Sequence, residues 1–413
     1  MSSFGFIRSS NSSFAQIMEE AIQEKNEQVK EKKQEVANKR KDRYNGKDKR
    51  RNWEEETEEA KKARLENPVD RVKRKKALVL LGYSGVKYFG MQRNPDVNTI
   101  EEELLKAMLK NNWITEEGLK NPQQCFFQRC ARTDKGVSAA RQVVSLKLPA
   151  AVDVAAINKD LPEDIRVFAV KNVTKGFNAK QTCDARSYSY TLPTYIFNKD
   201  DEEVCETSFR LSSERLEELN TVLGLYCGTR NYHNFTIKKE PHDPSAKRFM
   251  ISFQCDKPYV PDNSEVEFAR LKVTGQSFML HQIRKMVGLV IAIMRGYVDA
   301  DIINRAVQNE KVIVPQAPGL GLVLDNVHYT RYNERYGWDG GTHEALTFKD
   351  EDEVIEEFFR KNIMTTIVET ELRDTPMQDW VGRLRKHEYD PIMAKENWEA
   401  NKDDAESEGN NSD

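Results

Sequence analysis

The turn Arg132-Thr133-Asp134-Lys135-Gly136 places one carboxylate on a tight loop between two apolar stretches with the look of strands. Cys125, Phe126 and Phe127 lead into it, and the alternating run Val143–Leu148 leads out. Asp-Lys-Gly is ordinary turn chemistry, with Asp capping the turn and Gly taking a positive φ. On the pattern alone that plain reading comes first. The chemical reading rests on the neighbours: Arg132 and Lys135 favour an ionised Asp, which a nucleophile or a stabiliser of developing positive charge requires.

The elements around this turn alternate irregularly. Ala77–Gly82 reads as a buried strand ending in a Gly-rich turn. Thr99-Ile100-Glu101-Glu102 has the form of a capping box, with Glu102 reaching back, and opens a helix carrying Leu104, Leu105, Met108 and Leu109. Asp153 caps a short helix; strands are expected at Ile165–Val170 and Tyr188–Tyr195. A second half follows, with a helix at Ser213–Tyr226 and strands at Phe249–Gln254 and Val266–Val273. The spacing predicts a helix over Ser277–Arg295, with Leu280, Ile283, Val287, Val290 and Met294 as one apolar stripe and Ser277, His281, Arg284 and Gly288 beside it. This mixture lacks the regular βα alternation of a doubly wound sheet, so the expected class is α+β.

A chain of 413 residues exceeds one average domain. Residues 1–72 are charged, with few apolar anchors, and are expected to be disordered or a solitary helix. Two halves of a globular core are placed at 73–180 and 181–332, a helical extension at 333–400 with an amphipathic stretch at Val354–Leu372, and an acidic disordered tail at 401–413. The net charge of −3 hides basic clusters at Lys39–Arg51 and Arg71–Lys76, so only local patches bear on nucleic acid. The 39–51 clusters suit nuclear import or an RNA-gripping arm; the serine-rich, acid-free first eighteen residues weakly suit a mitochondrial presequence; the cytoplasm stays open. Six scattered cysteines without a Cys-x-x-Cys pair suit reduced thiols and recommend no metal site. The longest apolar run, Met286–Met294, is too short to span a bilayer.

Arg132–Val137 resembles the active-site loop of tRNA pseudouridine synthases of the TruA type. Further segments look like the same family in the same order: Gly82–Gly85 with Tyr88–Gln92, Arg186–Tyr190, Gly275–Met286 and Pro315–Leu322. Gly228–Thr236 and Gln276–Met286 are most similar to its eukaryotic branch. The resemblance spans roughly residues 75–330 and implies two ferredoxin-like halves joined into a continuous, largely antiparallel sheet with a central cleft. It implies a tRNA substrate, with other structured RNA such as mRNA or snRNA as further candidates, and no cofactor. Bacterial members are dimeric; the C-terminal extension here suggests a monomer.

The chemistry of that family asks for few groups. Uridine becomes pseudouridine when its glycosidic bond breaks, the base turns, and C5 bonds to C1′. Nothing is oxidised, so no cofactor is required. A carboxylate facing an electron-poor centre meets the need, as in glycosidases, and a lone one suits isomerisation better than hydrolysis. By resemblance Asp134 is that carboxylate; whether it attacks C1′, adds to C6 or removes a proton stays open. Tyr188 matches the active-site tyrosine, whose ring can stack on uracil and whose hydroxyl can assist at C5. Arg284 matches the basic residue that pairs with the aspartate. Arg132 is the candidate for levering the base out or holding its phosphate. Lys73–Lys76, Lys171, Lys175 and Lys180 are candidates to line the cleft, and Lys285 is expected to face solvent or phosphate. Two rival readings remain: an RNA-binding or RNA-folding protein on this scaffold, and an N-glycoside hydrolase.

Overall fold

Arg74–Tyr83 (β1) is buried without a break from Lys76 to Tyr83. Its apolar run does not alternate because both faces are covered, as in central strands. Ser138–Pro149 (β3) runs antiparallel to it, and Ile165–Asn172 (β4) takes its other edge. Gln128–Arg129 (β2) is only two residues long. The apolar lead-in at 125–127 is therefore turn rather than strand, and Phe126 takes a left-handed φ of 58°. The computed structural model describes residues 73–199, 205–262, 264–338 and 340–395, all in one compact unit. The readings made for residues 1–72 and 401–413 lie outside the described residues.

Ala185–Pro193 (β5), Gly228–Asn231 (β6), Lys247–Cys255 (β7), Phe268–Gly275 (β8) and Leu322–His328 (β9) continue the sheet. Its order is β4-β1-β3-β9-β5-β8-β7-β6, with β2 also on β3. One pairing among the described strands is parallel: Ser138 and Ala139 of β3 lie against Val323 and Leu324 of β9. Because β1 holds one edge of β3, β2 and β9 must share the other, β2 near Ser145 and β9 near Ser138. The result is a continuous, largely antiparallel sheet, and the fold is α+β as expected.

Local signals explain most helix starts. Ile100–Lys110 (α1) begins where Thr99 Oγ1 accepts from Glu102 N at 3.4 Å. The reciprocal half of the capping box does not form, because the Glu102 carboxylate pairs with Arg93. Val154–Asp160 (α2) is capped by Asp153 at 3.0 Å, and Ser213–Gly224 (α3) by Ser212 at 3.2 Å. Gln282–Met294 (α4) starts five residues later than periodicity predicts. His281 sits at φ 64°, a left-handed conformation that cannot continue a helix backwards, so residues 277–281 form a loop. Leu280, placed in the apolar stripe by spacing, is 47% exposed on that loop.

The C-terminal helices cover the face of the sheet away from the loop at 277–281. Asp352–Phe358 (α5) runs through a π-helical stretch, Phe359–Met364, into Thr365–Asp374 (α6), and Pro376–Leu384 (α7) follows. Ile355, Phe358, Phe359 and Ile363 are buried, as the amphipathic pattern requires. Phe358 meets Phe168 of β4 edge-on at 5.6 Å, and Arg270 of β8 stacks over Phe359 at 4.6 Å. Arg141 of β3 pairs with Asp352 at 2.8 Å, and Lys171 with Glu351 at 3.0 Å.

Glu371 of α6 is 5% exposed and accepts from Met377 N at 2.9 Å, tying α6 to the start of α7. Burial pushes its carboxyl up to about 7 from an ordinary 4.5. The folded state therefore holds the proton more tightly than the unfolded chain, so stability is greatest below 4.5 and falls as pH rises toward 7. That gap corresponds to roughly 3 kcal/mol. Glu371→Gln keeps the acceptor without the charge. It should unfold at higher denaturant concentration than the parent at pH 8, with the difference shrinking toward pH 5; a pH-independent difference would contradict this.

Candidate active site

The backbone around Asp134 is held from both sides. From one side Met91 N donates to Thr133 O at 3.1 Å and Gly136 N donates to Tyr88 O at 3.2 Å. Gly90 is where the two segments come closest: its φ is 99°, and a Cβ there would lie 2.7 Å from Thr133 O. From the other side the fully buried Gln142 accepts from Ala131 N at 3.3 Å and donates to Ala131 O at 3.0 Å and to Tyr83 Oη at 3.3 Å. Tyr83 in turn shares a 2.8 Å hydrogen bond with Thr133 Oγ1. Both neighbours of Arg132 are thus fixed while Arg132 itself stays exposed. Lys135 is also exposed, its ammonium 4.2 Å from the ring of Phe89.

This loop forms one wall of a cavity of about 660 Å³, within the range of small-ligand sites. β5 supplies the floor through Arg186 and Tyr188, and residues 276–284 supply the opposite wall. Tyr188 is 7% exposed and meets Phe278 edge-on at 5.1 Å. Burial pushes its phenol well above the usual value, so it stays neutral at ordinary pH. Arg186, 8% exposed, donates to Gln276 O at 3.0 Å, Cys130 O at 3.0 Å and Lys180 O at 3.1 Å. It ties three cavity segments to one strand, and a buried cation satisfied by carbonyl dipoles escapes the cost of an unpaired charge.

Asp134, Tyr188, Arg284 and Arg132, singled out from the sequence, all line this one cavity. The contact to the carboxylate differs from the expectation. His281 Nδ1 lies 3.2 Å from Asp134 Oδ2, whereas Arg284 forms no ion pair with Asp134 within 4.0 Å. The Arg284 guanidinium is instead held on the Pro315–Leu322 segment: Nε donates to Ala317 O at 2.7 Å. With the Gln316 amide oxygen turned toward it, that side chain accepts two more bonds, at 3.0 and 3.1 Å. Gly288 permits this docking, since a Cβ there would lie 2.5 Å from Pro315 O. Burial lowers the Arg284 pKa, opposed by Tyr190 and Asp134, so the guanidinium still acts on the carboxylate through space.

Other candidates fall elsewhere. Lys285 is not turned to solvent; its ammonium donates to Asn234 O at 2.9 Å, anchoring α4 to the 231–236 segment. His233 is 1% exposed, with Nε2 3.2 Å from Glu310 O, a packing role. Lys180 lines the cavity, but Lys171 is bound to Glu344 and Glu351 under the C-terminal helices. Tyr83 and Tyr88 are buried and pack rather than stack on a ligand. Sequence reasoning passed over Gln142, Arg186 and the contact made by His281; an Arg two residues before an expected site tyrosine was the one available hint. Among the described residues no group of His, Cys, Asp or Glu is arranged to hold a metal ion.

A continuous, largely antiparallel sheet with helical cover, and a cavity at the β3–β9 seam, are consistent with the pseudouridine synthase fold. A family model described as tRNA pseudouridine synthase matches residues 223–330. The chain is 46% identical over 344 residues to a mouse protein named pseudouridylate synthase 1 homolog, covering 82% of this chain and 81% of that one. It is likewise 46% identical to the human protein of that name, covering 76% and 73%, and 31% identical to tRNA pseudouridine synthase 1 of Saccharomyces cerevisiae, covering 69% and 66%. The chain belongs to the TruA-type tRNA pseudouridine synthase family.

Gly90→Ala forces an L side chain to φ 99° and into Thr133 O. It should lower stability by about 1–3 kcal/mol and impair product formation, since the strained contact bears on the Asp134 loop itself. Thermal unfolding and initial rates measured on the same preparation test this; a variant as stable and active as the parent would refute the clamp.

Proposed function

We propose that the cavity receives a uridine extruded from tRNA and that Asp134 drives its isomerisation to pseudouridine. The observation that carries the reading is charge. Arg132, Lys180, Arg186 and Arg284 line the cavity, beside an Arg129 that is neutralised by Glu101 at 2.6 Å, against Asp134 as the one carboxylate among the lining residues. Such a lining attracts a phosphate backbone and keeps a single anion for chemistry. Tyr188 offers a buried ring edge for the base, with its neutral phenol available as a hydrogen-bond partner. Arg132, exposed beside the carboxylate, is suited to the flanking phosphate or to the gap left by the extruded base.

The reaction conserves atoms within the substrate. The N1–C1′ bond breaks, a C5–C1′ bond forms, C5 gives up a proton and N1 gains one. No water is consumed, and a second carboxylate to activate one is absent from the lining, which disfavours hydrolysis. His281 Nδ1 stands 3.2 Å from Asp134 Oδ2, beside one oxygen of the carboxylate, and leaves the other for the nucleoside. The helical cover on the far face of the sheet favours a monomer, and the basic clusters of residues 39–51 favour the nucleus. mRNA and snRNA remain candidate substrates beside tRNA.

Asp134→Ala should still bind tRNA while losing pseudouridine formation by on the order of a thousandfold or more, as removal of a central catalytic group does. Nucleotide-resolution mapping of treated tRNA checks it; undiminished product would end the assignment, and released free uracil would favour the hydrolase. His281→Asn keeps a donor and suits the left-handed backbone, whereas His281→Gly keeps only the backbone. The Gly variant should lose about tenfold or more in kcat with little change in KM, and the Asn variant should recover most of it. Equal rates for the two would show that the contact with Asp134 is immaterial.

A further inference from the structure

Phe126 stands in a conformation that the fold does not reward. The turn at 122–126 closes through Phe126 N to Gln123 O and Phe127 N to Pro122 O, both 3.0 Å, and requires φ 58° at Phe126. Glycine or asparagine is the ordinary occupant of such a position, and a bulky residue there is strained. Among the described residues one other aromatic, Phe348, has a left-handed φ, also 58°. Phe348 is 1% exposed, so burial offsets its strain, whereas Phe126 is 53% exposed. Strain without burial is a feature of functional positions.

The surroundings of the ring say what it meets. Lys147 Nζ lies 4.0 Å from its centroid, and Lys76 Nζ, in a chain only 9% exposed, donates to Phe126 O at 2.9 Å. The backbone is tied again by Lys147 N to Cys125 O at 2.8 Å. Arg74 stands on the same end of β1, opposite Pro149, as Lys76 is opposite Lys147. None of these three cations pairs with a carboxylate among the described residues. Cations without acids around a presented aromatic face suit a partner with negative charge and flat rings, which is single-stranded nucleic acid.

The position is set relative to the cavity. Gln128 and Arg129 are cavity wall, and Phe126 stands two residues beyond Gln128. Lys147 lies nine residues along β3 from Ser138, which is at most about 30 Å of strand from the start of β3 next to Asp134. Phe126 is not among the lining residues, so it stands beyond the cavity rim on the Gln128 side.

We propose that Phe126, framed by Arg74, Lys76 and Lys147, is a stacking platform for an unpaired base of the same RNA, outside the cavity that takes the uridine to be modified. This rests on the reading of the cavity as a tRNA pseudouridine synthase site. With such a platform a folded RNA is preferred over a short segment around the uridine, because two points must be met at once.

The test uses full-length tRNA and a short stem-loop that carries only the target uridine, with binding and turnover measured for the parent, Phe126→Gly and Phe126→Trp. Glycine relieves the backbone, so Phe126→Gly should be at least as thermally stable as the parent. Its affinity for full-length tRNA should fall by about fivefold or more, the scale of losing one stacked base, with the stem-loop unaffected. Phe126→Trp should bind like the parent. Unchanged tRNA affinity in Phe126→Gly overturns the platform, as does equal weakening for the stem-loop. A loss of affinity that accompanies a loss of stability assigns Phe126 a structural role and also overturns it. If the parent makes no pseudouridine in either RNA, the reading of the cavity fails instead, and the two failures are separable.

Discussion

Two rungs of parallel pairing hold this molecule's chemistry together. Ser138 and Ala139 against Val323 and Leu324 join the β1–β4 part of the sheet to the β5–β9 part. They lie immediately after the Asp134 turn on one side and immediately after the Pro315–Leu322 segment on the other. That segment is docked on α4 through Ala317 and Gly288, and so brings Arg284 with it. The carboxylate and the guanidinium therefore share a cavity because the sheet changes direction there. A fully antiparallel sheet would have needed a different connection at this seam and a different set of neighbours for the turn.

The electrostatics follow from that placement. Burying cations is costly, and at Arg186 and Arg284 the cost is offset by backbone carbonyls rather than carboxylates. Arg186 binds three carbonyls and Arg284 binds Ala317 O. Had these arginines been paired with acids, the cavity would have been closer to neutral and less hospitable to a phosphate chain. Asp134 keeps a contact of its own with His281, whose left-handed backbone also sets the start of α4. One residue thus shapes the loop at 277–281 and steadies the carboxylate.

Much of the architecture was readable from short-range signals. The buried run at 77–82, the caps at Thr99 and Asp153, and the stripe Ile283, Val287, Val290 and Met294 each depend on residues a few positions apart. Propensity, capping and periodicity operate over that range. The misreadings have a common origin in tertiary competition. Glu102 left its capping box for Arg93, and the helix expected from Ser277 was cut short at His281. Phe126 looked like strand and became a strained turn.

Residue types and their local order were enough to define an α+β chain with an aspartate on a turn and a tyrosine and an arginine on later elements. Which groups touch was settled by contacts between segments far apart in the chain, 50 residues for Tyr83 to Thr133 and 90 for Arg186 to Gln276. The partner of the aspartate, His281 rather than Arg284, depends on where a helix starts and on how a distant loop docks. Local patterns carry no information about either, because the energies that decide them are exchanged across the sheet and not along the chain.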